Sequence, residues 1–146
     1  MDKPAGLTSH DVVSRVKKIL GAPKAGHTGT LDPLATGVLP VCVGEATKLA
    51  PFLAGDDKTY RATMMLGLET DTQDTQGRET GRSDLVPSEE DIRLALGRLT
   101  GKIQQVPPAF SALKHKGRPL YQYARAGEFP QVAAREVEIF SLDVKS

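Results

Sequence analysis

One carboxylate, Asp32, stands in a stretch whose composition is typical of a functional loop. Pro33 follows it and disfavours a helical conformation at Asp32. The neighbouring turn formers and polar residues are Gly26, His27, Thr28, Gly29, Thr30, Thr36 and Gly37. The Thr hydroxyls and loop amides are expected to favour the ionised carboxyl, the form that acts as a nucleophile or assists proton removal. An Asp-Pro turn with a purely structural role stays open as the alternative.

Tyr60 is the second candidate for a chemical role. Apolar and polar residues alternate from Lys58 to Gly67, which predicts a half-buried strand that carries Tyr60. A tyrosine on such a strand either packs in the core or presents its ring to a ligand. The sequence leaves both possibilities open.

Metal and cofactor chemistry finds no support in the sequence. His10, His27 and His115 are not at metal-ligand spacing, and the acidic run around Asp71 and Asp74 lacks the ligand spacing of a calcium loop. No phosphate-binding or dinucleotide fingerprint occurs. Cys42, the only cysteine, excludes an internal disulfide and is predicted to be a buried, inert thiol. We expect no cofactor and no metal.

Charge is segregated along the chain although the formal net charge is only +1. The stretch 98–125 has six basic residues and no acidic one, whereas acidic residues dominate 56–93. Such segregation is typical of a protein with one phosphate-facing side, and ordinary solvated faces are the alternative. The basic candidates for phosphate contacts are Lys3, Lys24, Lys58, Lys114 and Arg118.

The elements that must position these residues can be predicted from caps and periodicity. Helices are predicted from Thr8 to Leu20, with an apolar stripe in the core, from Glu45 to Leu53, after Ser88 and after Pro119. An apolar strand follows Gly37, another strand is expected at 102–106, and a bulged strand at 135–144 that still needs a partner. Residues 67–82 are predicted to be a long loop. The mixture favours an α+β fold with a mixed, largely antiparallel sheet and flanking helices.

Length and hydropathy indicate the number of domains and the cellular location. A chain of 146 residues is expected to form one domain. It has neither a run of about 18 apolar residues nor a secretory leader. We therefore expect a cytoplasmic protein that does not span a membrane.

Several ordered motifs resemble the bacterial tRNA pseudouridine-55 synthases, the TruB family. The longest is GHTGTLDPLATGVLP at residues 26–40, and the others are KPxGxTS at 3–9, KxYxA at 58–62 and VPPxFSALK at 106–114. The spacing of Gly67, Thr70, Thr72, Asp74 and Gly77 is also similar to the family's. The resemblance covers nearly the whole chain.

This resemblance implies a function and a site. Asp32 would be the catalytic carboxylate, Tyr60 would stack on the flipped-out target base, and His27 would meet the RNA. Gly26, Gly29, Thr30, Pro33 and Gly37 would set the geometry of the loop. The substrate would be the T-stem-loop of tRNA, and the protein is expected to act as a monomer.

The resemblance also implies that residues 1–146 are only part of a pseudouridine synthase catalytic domain. A later catalytic segment, with a tyrosine and an arginine, and a C-terminal RNA-binding PUA domain would be absent, and both chain ends are expected to be cut. Two alternatives stay open: a truncated RNA-binding module without catalytic competence, and a guide-RNA-dependent relative.

Overall fold

Helices and short antiparallel strand pairs make up this chain. A computed structural model describes residues 1–145, in two units, of which the first is Met1–Arg61 and the second begins at Ala62. The first unit contains β1 (Asp2–Lys3), α1 (Ser9–Ile19), β2 (Ala25–His27), β3 (Gly37–Val38), β4 (Val41–Val43), a 3₁₀ helix (Gly44–Leu49) and α2 (Ala50–Leu53). β1 pairs with β3 and β2 pairs with β4.

Helix α1 begins where the sequence predicts, because Thr8 and Asp11 form a reciprocal capping box. The Thr8 hydroxyl accepts from the Asp11 amide at 3.1 Å, and the Asp11 carboxylate accepts from the Thr8 amide at 2.9 Å. The Thr8 hydroxyl also donates to the Asp11 carboxylate at 2.6 Å. That bond first, and then the one from the Thr8 amide, lower the pKa of Asp11. Val12 and Val13 are buried, but Ile19 is 81% exposed. The predicted core stripe is therefore confirmed only at the start of the helix.

The apolar stretch after Gly37 forms two short strands instead of one. Pro40 has no backbone N–H to donate and lies between β3 and β4. The strand is interrupted there, and the Leu39 amide donates to the Met1 carbonyl at 2.7 Å. Leu39 and Cys42 are buried, so the prediction of a buried thiol is confirmed, whereas Val38 is exposed.

Lys3 is one of the largest fully buried side chains within residues 1–145. Its ammonium donates to the carbonyls of Leu7 at 2.7 Å, Pro4 at 3.0 Å and Pro33 at 3.4 Å. The predicted phosphate contact at Lys3 is therefore wrong. Charge alone made Lys3 a candidate, whereas in the folded chain its ammonium donates to three backbone carbonyls.

The segment 58–67 does not form the predicted half-buried strand. It has no regular secondary structure and is almost wholly exposed, including Tyr60, Met64 and Met65. A strand exists only where a neighbouring strand accepts and donates its backbone hydrogen bonds. No other segment of residues 1–145 pairs with this one. The alternation of apolar and polar residues therefore does not produce a strand here.

The second unit contains three further strand pairs and two helices. Its elements are β5 (Leu68–Thr70), β6 (Glu79–Arg82), α3 (Glu89–Arg98), β7 (Gly101–Gln105), β8 (Lys114–His115), β9 (Arg118–Pro119), α4 (Leu120–Arg125) and β10 (Arg135–Ile139). The pairs β5–β6, β7–β10 and β8–β9 are all antiparallel. The α+β prediction is confirmed, although the strands form five two-stranded sheets in residues 1–145.

In this unit the predictions of helix starts from neighbouring residues are confirmed, whereas two of the predictions that depend on strand pairing are wrong. The Ser88–Asp91 capping box starts α3, and α4 follows Pro119 as predicted. The predicted long loop at 67–82 is wrong, because β5 and β6 form a hairpin around its middle. The predicted bulge in the last strand is also wrong. β10 ends at Ile139, before the change of phase, and the partner it was expected to lack is β7.

Within residues 1–145, no helix is long and apolar enough to cross a bilayer.

The α1 capping box should make stability depend on pH. The folded-state pKa of Asp11 lies below the ordinary aspartate value of 3.8, so the stabilising contribution is present above that pH and is lost as pH falls through the folded pKa. We expect Asp11→Asn to lower the free energy of unfolding most above pH 3.8, with a shrinking effect below it, as measured by urea unfolding at several pH values. In a Thr8→Ala background the same substitution should lose most of its pH dependence. A difference that stays constant down to pH 2 would contradict this account.

Replacing Lys3 by Met should destabilise the chain. The substitution removes the hydrogen bonds of the Lys3 ammonium to the Leu7 and Pro4 carbonyls, and a hydrogen bond to a charged group contributes about 1.5–3 kcal/mol. We expect a loss of that order in the free energy of unfolding, measured by urea titration. Lys17→Met, on the exposed side of α1, is the matched control and should change stability little. Equal effects of the two substitutions would show that the buried contacts of Lys3 are unimportant.

Candidate active site

The loop between β2 and β3 presents the Asp32 side chain to solvent. The Asp32 carbonyl accepts from the Ala35 amide at 3.0 Å, which closes a turn. Its carboxylate makes no hydrogen bond or ion pair with any residue in 1–145. The prediction that Thr hydroxyls and loop amides would donate hydrogen bonds to this carboxylate is therefore wrong. Thr28 is buried and its amide donates to the Pro40 carbonyl, while Thr30 and Thr36 are exposed. The carboxylate is thus accessible to a substrate.

The backbone on both sides of Asp32 is held by the N-terminal segment. On one side, the buried Ser9 hydroxyl accepts from the Leu31 amide at 2.9 Å and donates to the Leu31 carbonyl at 3.0 Å. On the other side, the Pro33 carbonyl accepts from the Gly6 amide at 2.7 Å and from the Lys3 ammonium at 3.4 Å. The backbone is thereby fixed immediately before and after Asp32.

Sequence reasoning missed Ser9 and Gly6 as parts of this site. A signal for Ser9 existed in the Thr8-Ser9 pair, since only one of two hydroxyls can cap α1 and the other is left to bind elsewhere. Gly6 has φ +85°, a conformation open to glycine at little cost. Its amide donates to the Pro33 carbonyl at 2.7 Å.

The residues predicted to set the geometry of the Asp32 loop differ in how far the backbone conformation requires them. Gly37 has φ +124° and therefore depends on being glycine. Gly26 has an ordinary φ and open space where a Cβ would lie, so the structure gives no steric reason for glycine there. At Gly29 a Cβ would lie 3.7 Å from the Lys58 Cε, an ordinary contact. Thr30 and Pro33 are exposed, and Pro33 acts through its carbonyl.

Two of the predicted basic residues in the first unit already have partners. Lys58 lies beside Gly29, and its ammonium donates to the carbonyls of Asp56 at 2.6 Å and Ala54 at 2.9 Å. Lys24 forms an exposed ion pair of 2.9 Å with Glu45. Lys48 also binds Glu45, and these two lysines, Lys48 first, lower the pKa of that carboxyl.

His27 and Tyr60 differ in how far they are fixed. His27 is the last residue of β2, opposite Val41, and is half-buried. Its Nδ1 atom is buried without a hydrogen-bond partner in residues 1–145. Tyr60 is 68% exposed in the irregular segment 58–67, and no hydrogen bond ties it to the Asp32 loop there.

Lys114 and Arg118 belong to the second unit, on the β8–β9 hairpin. Lys114 is exposed. The Arg118 guanidinium lies 4.3 Å from the centre of the Tyr123 ring, donates to the Gln122 carbonyl at 2.6 Å and lies 3.7 Å from the Glu128 carboxylate. Arg118 therefore has a structural role within this unit.

The part of the chain that the structure describes contains no group of three or more His, Cys, Asp or Glu side chains placed to hold a metal ion.

Comparison with known proteins assigns this chain to a family. Residues 17–146 match the model of the TruB family pseudouridylate synthase (N terminal domain). Proteins named tRNA pseudouridine synthase B are similar along nearly the whole chain. The one from Syntrophus aciditrophicus is 56% identical over 141 residues, 97% of this chain and 45% of the relative. The one from Tolumonas auensis is 51% identical over 146 residues, 100% of this chain and 45% of the relative.

A solved structure supports the fold. The crystal structure of a Cbf5-Nop10-Gar1 complex contains a chain that is 32% identical, with a TM-score of 0.51, over 79% of this chain and 30% of that one. This chain therefore spans less than half the length of the curated relatives cited here and less than a third of that neighbour. Its small antiparallel sheets and helices are consistent with an incomplete pseudouridine synthase fold, and by its match to the family model the chain belongs to the TruB family of pseudouridylate synthases.

Proposed function

We propose that this chain is the N-terminal part of the catalytic domain of a synthase that converts uridine to pseudouridine at position 55 in the tRNA T-loop. The observation that carries the proposal is the accessible Asp32 carboxylate on a backbone pinned at Leu31 and Pro33. Support also comes from relatives named tRNA pseudouridine synthase B that are more than half identical to it.

A longer protein would supply the remaining parts. We propose a later catalytic segment and a C-terminal PUA domain, because the curated relatives cited are more than twice as long as this chain. Large apolar side chains such as Phe52 and Met64 are exposed in the first and second units respectively. Such side chains are available to pack against further protein.

The proposed reaction is an isomerisation whose atoms balance without a co-reactant. The bond from N1 of the base to C1′ of the ribose breaks, the base rotates, and a bond from C5 to C1′ forms. C5 loses a proton and N1 gains one. An ionised carboxylate can serve as nucleophile at C1′, as nucleophile at C6 of the base, or in removal of the proton. Asp32 has no internal partner within residues 1–145 that would compete for any of these roles.

The target base must leave its stack before a carboxylate can reach it. Base flipping costs a few kcal/mol, which stacking and edge hydrogen bonds in the pocket offset. The exposed ring of Tyr60 is the proposed stacking surface. His27, with its unpartnered Nδ1, is proposed to meet the RNA at the position that the base vacates.

Phosphate contacts are proposed for the exposed cations. Lys24 can exchange its exposed partner Glu45 for a phosphate, and the Lys58 ammonium has a third donor in addition to the two that bind carbonyls. Lys114 and Arg118 are proposed contacts made by the second unit. Of these two, Lys114 is the better exposed.

The remaining proposals concern the state of the protein. A reaction that needs one carboxylate and no redox step requires no cofactor, and we propose that none is used. We also propose that the protein acts on tRNA as a monomer in the cytoplasm. Sedimentation of the full-length protein with and without tRNA tests the monomer.

Replacing Asp32 by Asn should abolish turnover while leaving RNA binding intact. Loss of a positioned acid or base costs about 10²–10⁴-fold in rate, and loss of a nucleophile costs at least as much. The assay is tritium release from 5-³H-uridine in a T-stem-loop RNA, in a chain extended to the length of the relatives. Asp2→Asn, another exposed carboxylate of the first unit, is the control and should keep the parental rate. Retained turnover in the Asp32 variant would refute the proposed role, and tRNA binding without turnover in the parent would favour a non-catalytic RNA-binding module.

Replacing Tyr60 by Ala should weaken the productive complex, whereas Tyr60→Phe should retain most activity. Stacking of a base on an aromatic ring contributes about 1–3 kcal/mol, so kcat/KM should fall about 5- to 150-fold in the Ala variant. Met64→Ala is the matched control, since Met64 is as exposed as Tyr60. If Tyr60→Ala and Met64→Ala have the same small effect, Tyr60 is not the stacking surface.

A further inference from the structure

The Ser9 side chain joins α1 to the loop that carries Asp32 through two hydrogen bonds. Its side chain is 2% exposed. The hydroxyl accepts from the Leu31 amide at 2.9 Å and donates its proton to the Leu31 carbonyl at 3.0 Å. Both hydrogen-bonding groups of one backbone residue are thus satisfied by one side chain, immediately before Asp32.

Nothing else in residues 1–145 performs this task. Leu31 lies outside the strands, and no backbone group of the described chain bonds to its amide or carbonyl. The other side of Asp32 is different, because the Pro33 carbonyl accepts from both the Gly6 amide and the Lys3 ammonium. Removal of one donor there leaves the other in place, whereas removal of the Ser9 hydroxyl frees Leu31 completely.

Ser9 is itself held rigidly. It is the first residue of α1, directly after the Thr8 cap. Val12 and Val13, on the next turn, are buried in the first unit. The hydroxyl therefore extends from a capped and packed helix end. Its hydrogen bonds fix the backbone of Leu31, and Leu31 in turn restrains the backbone of Asp32.

We propose that Ser9 is a positioning residue for the Asp32 carboxylate. The inference rests on the proposed function, since it assumes that Asp32 reacts with the base or ribose. Ser9 acts through the Leu31 backbone and does not touch the substrate. A reacting group misplaced by about 1 Å can cost 10²-fold in rate. Loss of the hydroxyl should thus lower kcat and leave RNA affinity unchanged.

The test compares Ser9→Ala, Ser9→Cys and Ser14→Ala in a chain extended to the length of the relatives. Ser9→Cys keeps the shape of the side chain, with a somewhat larger sulfur in place of the oxygen, but forms only weak hydrogen bonds, so it tests the proposal even if the Ala variant folds poorly. Ser14 is exposed on the same helix and serves as the matched control. Single-turnover rates at saturating T-stem-loop RNA, the KM, and circular dichroism of each variant are measured at one temperature.

We expect both Ser9 variants to lower the single-turnover rate about 10- to 100-fold, with KM within about threefold of the parent and with Ser14→Ala unchanged. Hydrogen exchange of the Leu31 amide should become faster in both Ser9 variants only. Folded Ser9 variants with the parental rate would overturn the inference while leaving the proposed function standing, as would a rise in KM at unchanged kcat. A parent chain that is inactive on tRNA would overturn the proposed function and the inference together.

Discussion

The hydrogen bonds between residues 3–9 and the backbone on either side of Asp32 are the constraint on which the site depends. A loop rich in glycine and threonine has high conformational entropy, and fixing each residue costs about 1–2 kcal/mol. In this chain the loop backbone is fixed by hydrogen bonds from residues outside the loop, namely Lys3, Gly6 and Ser9. The N-terminal segment is therefore as much a part of the candidate site as the loop that carries the carboxylate.

This arrangement meets separately the two requirements of a catalytic carboxylate, the role proposed for Asp32. Its backbone must be fixed, since a positioned group is more effective than a mobile one. Its charge must stay available, since a carboxylate already bound by internal donors would be stabilised before the substrate arrives. Bonds to Leu31 and Pro33 meet the first requirement without involving the Asp32 oxygens.

The sequence predicted those features that depend on neighbours in the chain. The capping boxes at Thr8 and Ser88 and the start of α4 after Pro119 were all predictable, because each needs only residues three or four positions apart. The Asp32 loop was predicted for the same reason. Predictions failed where a distant partner decides the outcome: the segment 58–67 has no strand beside it in residues 1–145, and the strand 135–139 has β7. The Lys3 prediction failed for another reason: its ammonium donates to the nearby carbonyls of Leu7 and Pro4 as well as to Pro33, 30 residues away.

The fate of the basic residues shows why a charge count alone is a poor measure of RNA affinity. Of the five cations that the sequence nominated, Lys3 is buried on carbonyls, Lys58 donates to two carbonyls, Lys24 is paired with Glu45, and Arg118 lies against Tyr123. Affinity for a polyanion arises from counterions released by cations that reach the phosphates. A buried ammonium such as Lys3 contributes nothing to that release, and an exposed pair such as Lys24–Glu45 contributes only after its own partner is displaced. The salt dependence of the proposed RNA binding should therefore be set by fewer cations than the sequence carries. The segregation of charge along the sequence thus reflects contacts within the fold as well as the proposed interface.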